Sequence, residues 1–369
     1  MHLEKAVEKV ATKLPAERIK RNIPLAPYTT LHIGGPAQLL FEAESASELA
    51  EAIRSAHAER VPVTVLGEGS NVLVSDKGIA GLVIINRSQS ILIEKRGDPA
   101  APKSDRPQTS RHWQLDSTKK SIHYDFTDLD YEESALPTSR VTIESGVSLP
   151  YATNFLFEHS LTGLQWYAGI PGTIGGAIVN NIHGGTHLFD EHLESVTVLT
   201  PRGRKQTITK DKLRNAYNAS RFHSSGETIL SASFYFPRGD VNKAKYVASE
   251  WAKRKAIQPR RSPGCAFTNL TAEDQQRLGL PTNATGYLIE HVLKMTGYRV
   301  GDAAISQAHH NFIVNEGNAT AEDFLAVMKE IQFRAEKECG VELKPEIFML
   351  GFEGPSPSRS VPIFDGVAE

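Results

Sequence analysis

The chain has 369 residues, enough for about two or three domains with cores of their own. Hydrophobic residues make up 40% and charged residues 23%, and the net charge is −2. That is an ordinary globular balance with no general pull toward nucleic acid or acidic membranes. No apolar run has the length of a membrane span, and the early acid in Met1 to Val7 argues against a signal peptide, so no membrane insertion is expected. The two cysteines, Cys265 and Cys339, have neither disulfide-framework nor metal-ligand spacing; no metal site and a reducing, cytoplasmic setting are the expectations.

Apolar residues Leu3, Val7, Val10, Ala11 and Leu14 recur at helical spacing until Pro15. Gly34-Gly35-Pro36 marks a turn, and 38–44 reads as a strand. Ser45-x-x-Glu48 is a capping box that opens a helix through Ala58, and 62–66 reads as the next strand. That strand delivers the first glycine-rich stretch, Leu66-Gly67-Glu68-Gly69-Ser70-Asn71-Val72. Successive N–H groups in such a turn form a nest for an anion, and Ser70 and Asn71 add donors. No Gly-Lys-Ser/Thr follows, and the turn runs into a strand, so neither a Walker loop nor the usual dinucleotide fingerprint applies. Taken alone, the stretch fits a tight hairpin turn better than a phosphate site.

Residues 94–121 are rich in Lys, Arg, Pro, Ser and Asp. The mixed acids and prolines favour a solvated surface insertion over a polyanion-binding arm. Strand signals resume at 140–144, and 149–159 is helical in period. The second glycine-rich stretch follows, Ala168-Gly169-Ile170-Pro171-Gly172-Thr173-Ile174-Gly175-Gly176-Ala177. Four glycines and a proline in eight residues mean a backbone close to something, either another chain segment or a flat cofactor. A hairpin (193–199 with 205–208), a strand (228–236) and a helix (241–256) come next, with a domain boundary in that region. A helix through Tyr287 to Leu293, a short strand at 311–315, a helix capped by Thr320-x-x-Asp323 and a closing strand at 343–351 complete the chain before a Pro/Ser-rich tail.

These stretches, in this order, resemble the UDP-N-acetylenolpyruvoylglucosamine reductase family. The residues that carry the resemblance are 28–37, 66–74, 168–177, Gly264-Cys265-Ala266-Phe267-Thr268-Asn269, His309-His310-Asn311-Phe312-Ile313-Val314-Asn315, 318–320 and 343–351. The resemblance implies an α+β chain. It has a two-part FAD-binding domain of the vanillyl-alcohol-oxidase (PCMH) type and a C-terminal α/β substrate-binding domain. It also implies FAD and NADPH as cofactors, a small nucleotide-sugar substrate, UDP-N-acetylglucosamine enolpyruvate, reduced to UDP-N-acetylmuramate for peptidoglycan synthesis, and a monomer. The expected layout is an N-terminal helix (1–23), the FAD part (24–239, with 89–139 as insertion), the substrate part (240–352) and a tail (353–369). The short link between Phe222 and Thr228 is similar to the family's compact type, which lacks an extra substrate loop.

By this resemblance the two glycine-rich stretches and Ile229 contact FAD, and Tyr217, Arg221 and Asn269 contact substrate. Cys265 stands where the family keeps a proton-donating serine; a thiol is mostly protonated at neutral pH yet more acidic than an alcohol. Glu346 stands at the family's catalytic glutamate. Asn218 stands where the family keeps an arginine that steadies the substrate carboxylate, and loss of such a contact costs on the order of 2–4 kcal/mol of transition-state stabilisation. His183 and Thr268 are further departures near the expected site. A flavoenzyme of the same fold acting on another substrate is the alternative that these three departures keep open.

Overall fold

The helical spacing before Pro15 becomes α1 (His2–Ala11), which buries Ala6, Val7, Val10 and Ala11. The structure is a computed structural model and describes residues 2–94, 129–133, 136, 138–213, 215 and 219–352. Most of the expected insertion, the tail, Tyr217 and Asn218 lie outside the described residues.

After α1 come β1 (Ile19–Pro24), β2 (Pro36–Ala43), α2 (Ala46–Ala58), β3 (Val63–Leu66), β4 (Val72–Val74) and β5 (Ile79–Asn86). The predicted N-cap is in place, with Ser45 Oγ accepting the Glu48 N–H at 3.2 Å. Strands run in the order β1-β2-β5-β3, with β2, β5 and β3 parallel and β1 antiparallel on the edge. One face of α2 (Leu49, Ala52, Ile53, Ala56) meets Leu39, Phe41, Leu82 and Ile84 of the sheet and the buried side of α1. Each Leu, Ile and Phe side chain among them contributes roughly 1.5–3 kcal/mol on burial. The first glycine turn is not a hairpin, because β3 stays in this sheet while β4 leaves it.

A second sheet follows from β6 (Ile91–Glu94), β7 (Thr138–Glu144), α3 (Leu149–Glu158), α4 (Ile174–Asn180), the small ribbon β8 (His183–Gly184) and β9 (His187–Leu188), then β10 (Leu193–Leu199), β11 (Lys205–Thr209) and β12 (Thr228–Pro237). Its order is β11-β10-β12-β7-β6, antiparallel throughout. Val196, Phe234 and Phe236 pack with Leu149 and Leu156 of α3 and with Ile174 and Ile178 of α4. Ile91 and Ile93 lean on the same core, so β6 belongs to the sheet although it falls within 89–139. Arg140 fastens that edge by pairing with Glu94 and, at 2.6 Å, with Glu194.

Residues 129–133 return to this part through Leu129, buried with Trp166, Val247 and Trp251. Beside them the His187 ring stacks on Trp166 at 3.6 Å and bonds Asp130 at 2.6 Å and Glu191 at 2.8 Å. Burial opposes the charge on His187, but the bonds to and charges of the two carboxylates outweigh it and raise its pKa from 6.5 to about 9. Because the folded value lies above the unfolded one, the stabilisation is complete below about pH 6.5 and lost as pH rises through about 9. We expect a loss of about 3 kcal/mol across that window, read as a falling Tm between pH 6 and 10. His187→Gln is expected to flatten that dependence.

The last part comprises α5 (Val241–Lys255), α6 (Ala272–Arg277), α7 (Thr285–Tyr287) running into a π-helical turn (Leu288–Val292), β13 (Arg299–Val300), β14 (Ala303–Ile305), β15 (Ile313–Asn315), α8 (Ala321–Cys339) and β16 (Phe348–Leu350). The predicted Thr320–Asp323 capping box forms, and Asp76, from the loop after β4, also accepts the N–H groups of Ala321 and Glu322. β16 pairs in parallel with β4. The closing strand is shorter than the expected 343–351: residues 344–346 pair with 266–268 through the bridge of Pro345 to Phe267, so Glu346 stands just before β16. Thr30 Oγ1 bonds the Ser262 carbonyl at 3.0 Å, and Asn315 Nδ2 bonds the Leu31 carbonyl at 3.1 Å. The motif at 28–37 therefore ties the first sheet to the last part of the chain.

Candidate active site

The two glycine-rich stretches, about a hundred residues apart, meet face to face. The Gly172 N–H donates to the Glu68 carboxylate at 2.8 Å. Burial pushes the Glu68 pKa up, with this bond pulling the other way. A Cβ on Gly67 would lie 2.6 Å from Thr173 Oγ1, and one on Gly172 3.4 Å from Ser70 Oγ. Glycine is what lets these backbones approach. Between them and the last part of the chain lies a cavity of about 1750 Å³. That exceeds the usual range for one drug-sized ligand and leaves room for a cofactor and a substrate together.

Every cofactor-contact residue expected from the two stretches lines this cavity, as does Ile229. Two observations fit FAD. Among the described residues, the N–H groups of Glu68, Gly69 and Ser70 donate no bond within the protein, as an anion nest requires. Gly176 is exposed to the cavity on α4, and a Cβ there would meet only Thr173 Oγ1 at 3.6 Å. The protein's own packing gives no reason for glycine at 176, whereas a flat ligand against α4 does. Gly176→Ala is therefore expected to stabilise the FAD-free protein by about 0.5–1 kcal/mol, since glycine is unfavourable in a helix. The same change is expected to weaken FAD binding. Thermal melts and flavin titration check the two effects.

A further part of the cavity wall is built from three segments. Ala266 N–H donates to the Asn311 carbonyl at 2.7 Å, and the Asn311 side chain bonds both the N–H (3.1 Å) and the carbonyl (2.8 Å) of Phe267. On the other side, Glu346 N–H donates to the Ala266 carbonyl at 2.8 Å. Residues 264–269 thus lie between 309–315 and 344–346, which brings Cys265 and Glu346 together at the cavity wall. Gly264 precedes Cys265 at φ +91, a conformation other residues rarely adopt. Burial first, then the charge of Glu346, drive the Cys265 pKa up; Lys255 and a bond with Asn311 pull it down without prevailing. The group is a neutral thiol at physiological pH. His183 and His309 line the same cavity, and burial, helped by the charge of Lys255, lowers each to about 4, so both rings are neutral.

Asn269, expected to contact substrate, and Thr268, one of the departures, both line the cavity. Arg221 does not: its guanidinium makes a bidentate pair with Glu227 at 2.9 and 3.0 Å and bonds the Lys212 carbonyl. Sequence reasoning missed Lys255, Trp251, Tyr287 and Glu290, which also line the cavity. Lys255 closes a Lys-Arg-Lys run in the last turn of α5, where basic residues are common because they complement the helix dipole. Nothing local distinguishes it from its neighbours.

The chain is similar to known proteins in sequence and fold. Residues 257–350 match the family model described as UDP-N-acetylenolpyruvoylglucosamine reductase, C-terminal domain, and residues 37–95 and 114–209 match the one described as FAD binding domain. A UDP-N-acetylenolpyruvoylglucosamine reductase from Agathobacter rectalis is 33% identical over 350 residues, covering 94% of this chain and 98% of its own. One from Lactiplantibacillus plantarum is 31% identical, covering 93% and 97%. The crystal structure of the reductase from Thermus caldophilus superposes with a TM-score of 0.64 at 27% identity, covering 90% of this chain and 99% of its own. With an α+β fold of a two-part FAD-binding domain and a C-terminal reductase domain, the chain belongs to the UDP-N-acetylenolpyruvoylglucosamine reductase family.

Proposed function

We infer that this chain is an FAD-dependent reductase that uses NADPH to convert UDP-N-acetylglucosamine enolpyruvate to UDP-N-acetylmuramate. The observation that carries this reading is one cavity lined by the two opposed glycine-rich backbones and by Cys265 and Glu346. The first stretch would hold the pyrophosphate through the N–H groups of Glu68 to Ser70, and the second would lie along the ring system. Bound FAD supplies a hydride, taken from NADPH, to the methylene carbon of the enolpyruvyl group. Negative charge then develops on the adjacent carbon and spreads into its carboxylate. Cys265 gives that carbon its proton, and the carboxyl group of Glu346 stabilises the intermediate. Asn269 binds substrate.

In this reading residues 24–239 hold FAD and 240–352 hold substrate. The enzyme acts as a monomer in the cytoplasm; among the described residues no helix is long and apolar enough to cross a membrane. The test uses purified, FAD-loaded protein without oxygen. NADPH should bleach the flavin, and the enolpyruvyl sugar nucleotide should restore its colour mole for mole. NADPH loss that does not depend on this substrate would remove the assignment.

A further inference from the structure

The segment that carries Cys265 is held by one side chain. On one side of it, Glu346 N–H donates to the Ala266 carbonyl at 2.8 Å and Thr268 N–H donates to the Lys344 carbonyl at 2.9 Å. Pro345 stands opposite Phe267, and both backbone groups of Phe267 are left to the other side. There the chain turns: Phe312 N–H bonds back to the His309 carbonyl at 2.9 Å. The Asn311 carboxamide fills the gap. Its Oδ1 accepts the Phe267 N–H at 3.1 Å, and its Nδ2 donates to the Phe267 carbonyl at 2.8 Å. Among the described residues, these are the partners that the two groups have. Phe267 is fully buried and Asn311 nearly so, and an unpaired backbone group there would be costly. A carboxamide suits the task because it offers a donor and an acceptor side by side. The Asn311 carbonyl also accepts the Ala266 N–H, at 2.7 Å. On the other flank of Cys265 lies Gly264 at φ +91, where an added Cβ would meet nothing within 4 Å. That glycine serves the bend of the backbone, not its packing, and leaves the segment a pivot. Cys265 therefore stands between a pivot and a clamp.

We propose that Asn311 is a positioning residue for Cys265, fixing the backbone that aims the thiol at the reacting carbon. The proposal rests on the reductase reading above. Asn311 acts through Phe267 and Ala266, the two residues that follow Cys265. Proton transfer to carbon needs the donor within reach of that carbon, and a misplacement of about 1 Å costs about 10²-fold. Without the carboxamide the two Phe267 groups must turn to find partners, and Gly264 lets Cys265 turn with them. Reduction of the flavin by NADPH needs no proton from the thiol. The effect of Asn311 is therefore confined to the half of the reaction in which the thiol gives its proton.

The two halves of the reaction are timed separately by stopped-flow absorbance on the FAD-bound protein. Asn311→Ala is expected to slow reoxidation of the reduced flavin by the enolpyruvyl sugar nucleotide about 10²-fold. Reduction by NADPH should keep its wild-type rate. In a Cys265→Ala background, where no thiol remains to be aimed, Asn311→Ala should cost nothing further. A residue that only supports the fold would slow both halves alike, or would cost as much without the thiol as with it. Either result overturns the proposal, and so does unchanged reoxidation. Asn311→Ser, whose hydroxyl can satisfy one of the two Phe267 groups, should fall between wild type and Asn311→Ala. It replaces the alanine variant in the cycle if that protein does not fold. Hydrogen exchange reads the clamp without turnover. In FAD-bound Asn311→Ala the peptide spanning 264–269 should exchange faster than in the wild type, while α2 keeps its protection. Unchanged exchange in that peptide would also overturn the proposal. If the nucleotide fails to reoxidise the wild-type flavin, the reductase reading falls, whereas exchange still decides whether Asn311 holds the segment of Cys265.

Discussion

Cys265→Ala is expected to lower turnover of the enolpyruvyl sugar nucleotide about 10²–10⁴-fold, the usual contribution of a positioned general acid. Reduction of bound FAD by NADPH should keep its wild-type rate, because that half of the reaction needs no proton from the thiol. Stopped-flow absorbance separates the two halves. The fold should survive the change: residues 264–269 are held by backbone bonds and by the Asn311 side chain, and removing the sulfur leaves these in place. Cys265→Ser should retain much more activity than the alanine variant. Near-wild-type turnover of Cys265→Ala would move the proton donor elsewhere, with Glu346 the first place to look.

Gly69→Ala is expected to cost the protein both stability and its flavin. Gly69 sits at φ +60, where a non-glycine residue loses roughly 1–2 kcal/mol. Its new Cβ would collide with the Tyr28 carbonyl oxygen and lie 2.9 Å from Thr29 Cα. Both obstacles are backbone atoms, so no rotamer change relieves them, and overpacking adds about 1–3 kcal/mol. The total of about 2–5 kcal/mol corresponds to a fall in Tm of about 4–20 °C. The loop that must move is the one that lines the cavity and, among the described residues, keeps its N–H groups without a protein partner, so purified protein should carry little FAD by absorbance. The contrast with Gly176→Ala is diagnostic. One glycine is required by the chain's own backbone, the other only by what binds beside it.

The elements that carried clear local signals formed where expected. α2 starts at Ser45, α8 starts at its Thr320–Asp323 box, and the alternation in 193–199 and 228–236 became two neighbouring strands. These are short-range effects, governed by capping bonds and side-chain period. The resemblance, resting on ordered motifs, led to the family, the fold class and the flavin. Which segments meet was beyond local chemistry. Read alone, the turn at 67–71 looks like a hairpin. In the folded chain β3 and β4 part, and β4 pairs with β16 from the far end of the sequence. That pairing brings the loop bearing Glu346 beside the glycine cradle, with Asn71 Nδ2 bonded to the Glu346 carbonyl at 3.4 Å. Arg221, placed by sequence near the substrate, is taken up by Glu227 six residues on. Lys255, one basic residue among three at a helix end, comes to line the cavity because α5 stops against Gly169. Composition, caps, periods and motifs are properties of neighbours in the chain. The charge environment of Cys265 depends on Lys255, Asn311 and Glu346, which only the packing of separate segments into one cavity wall brings within reach.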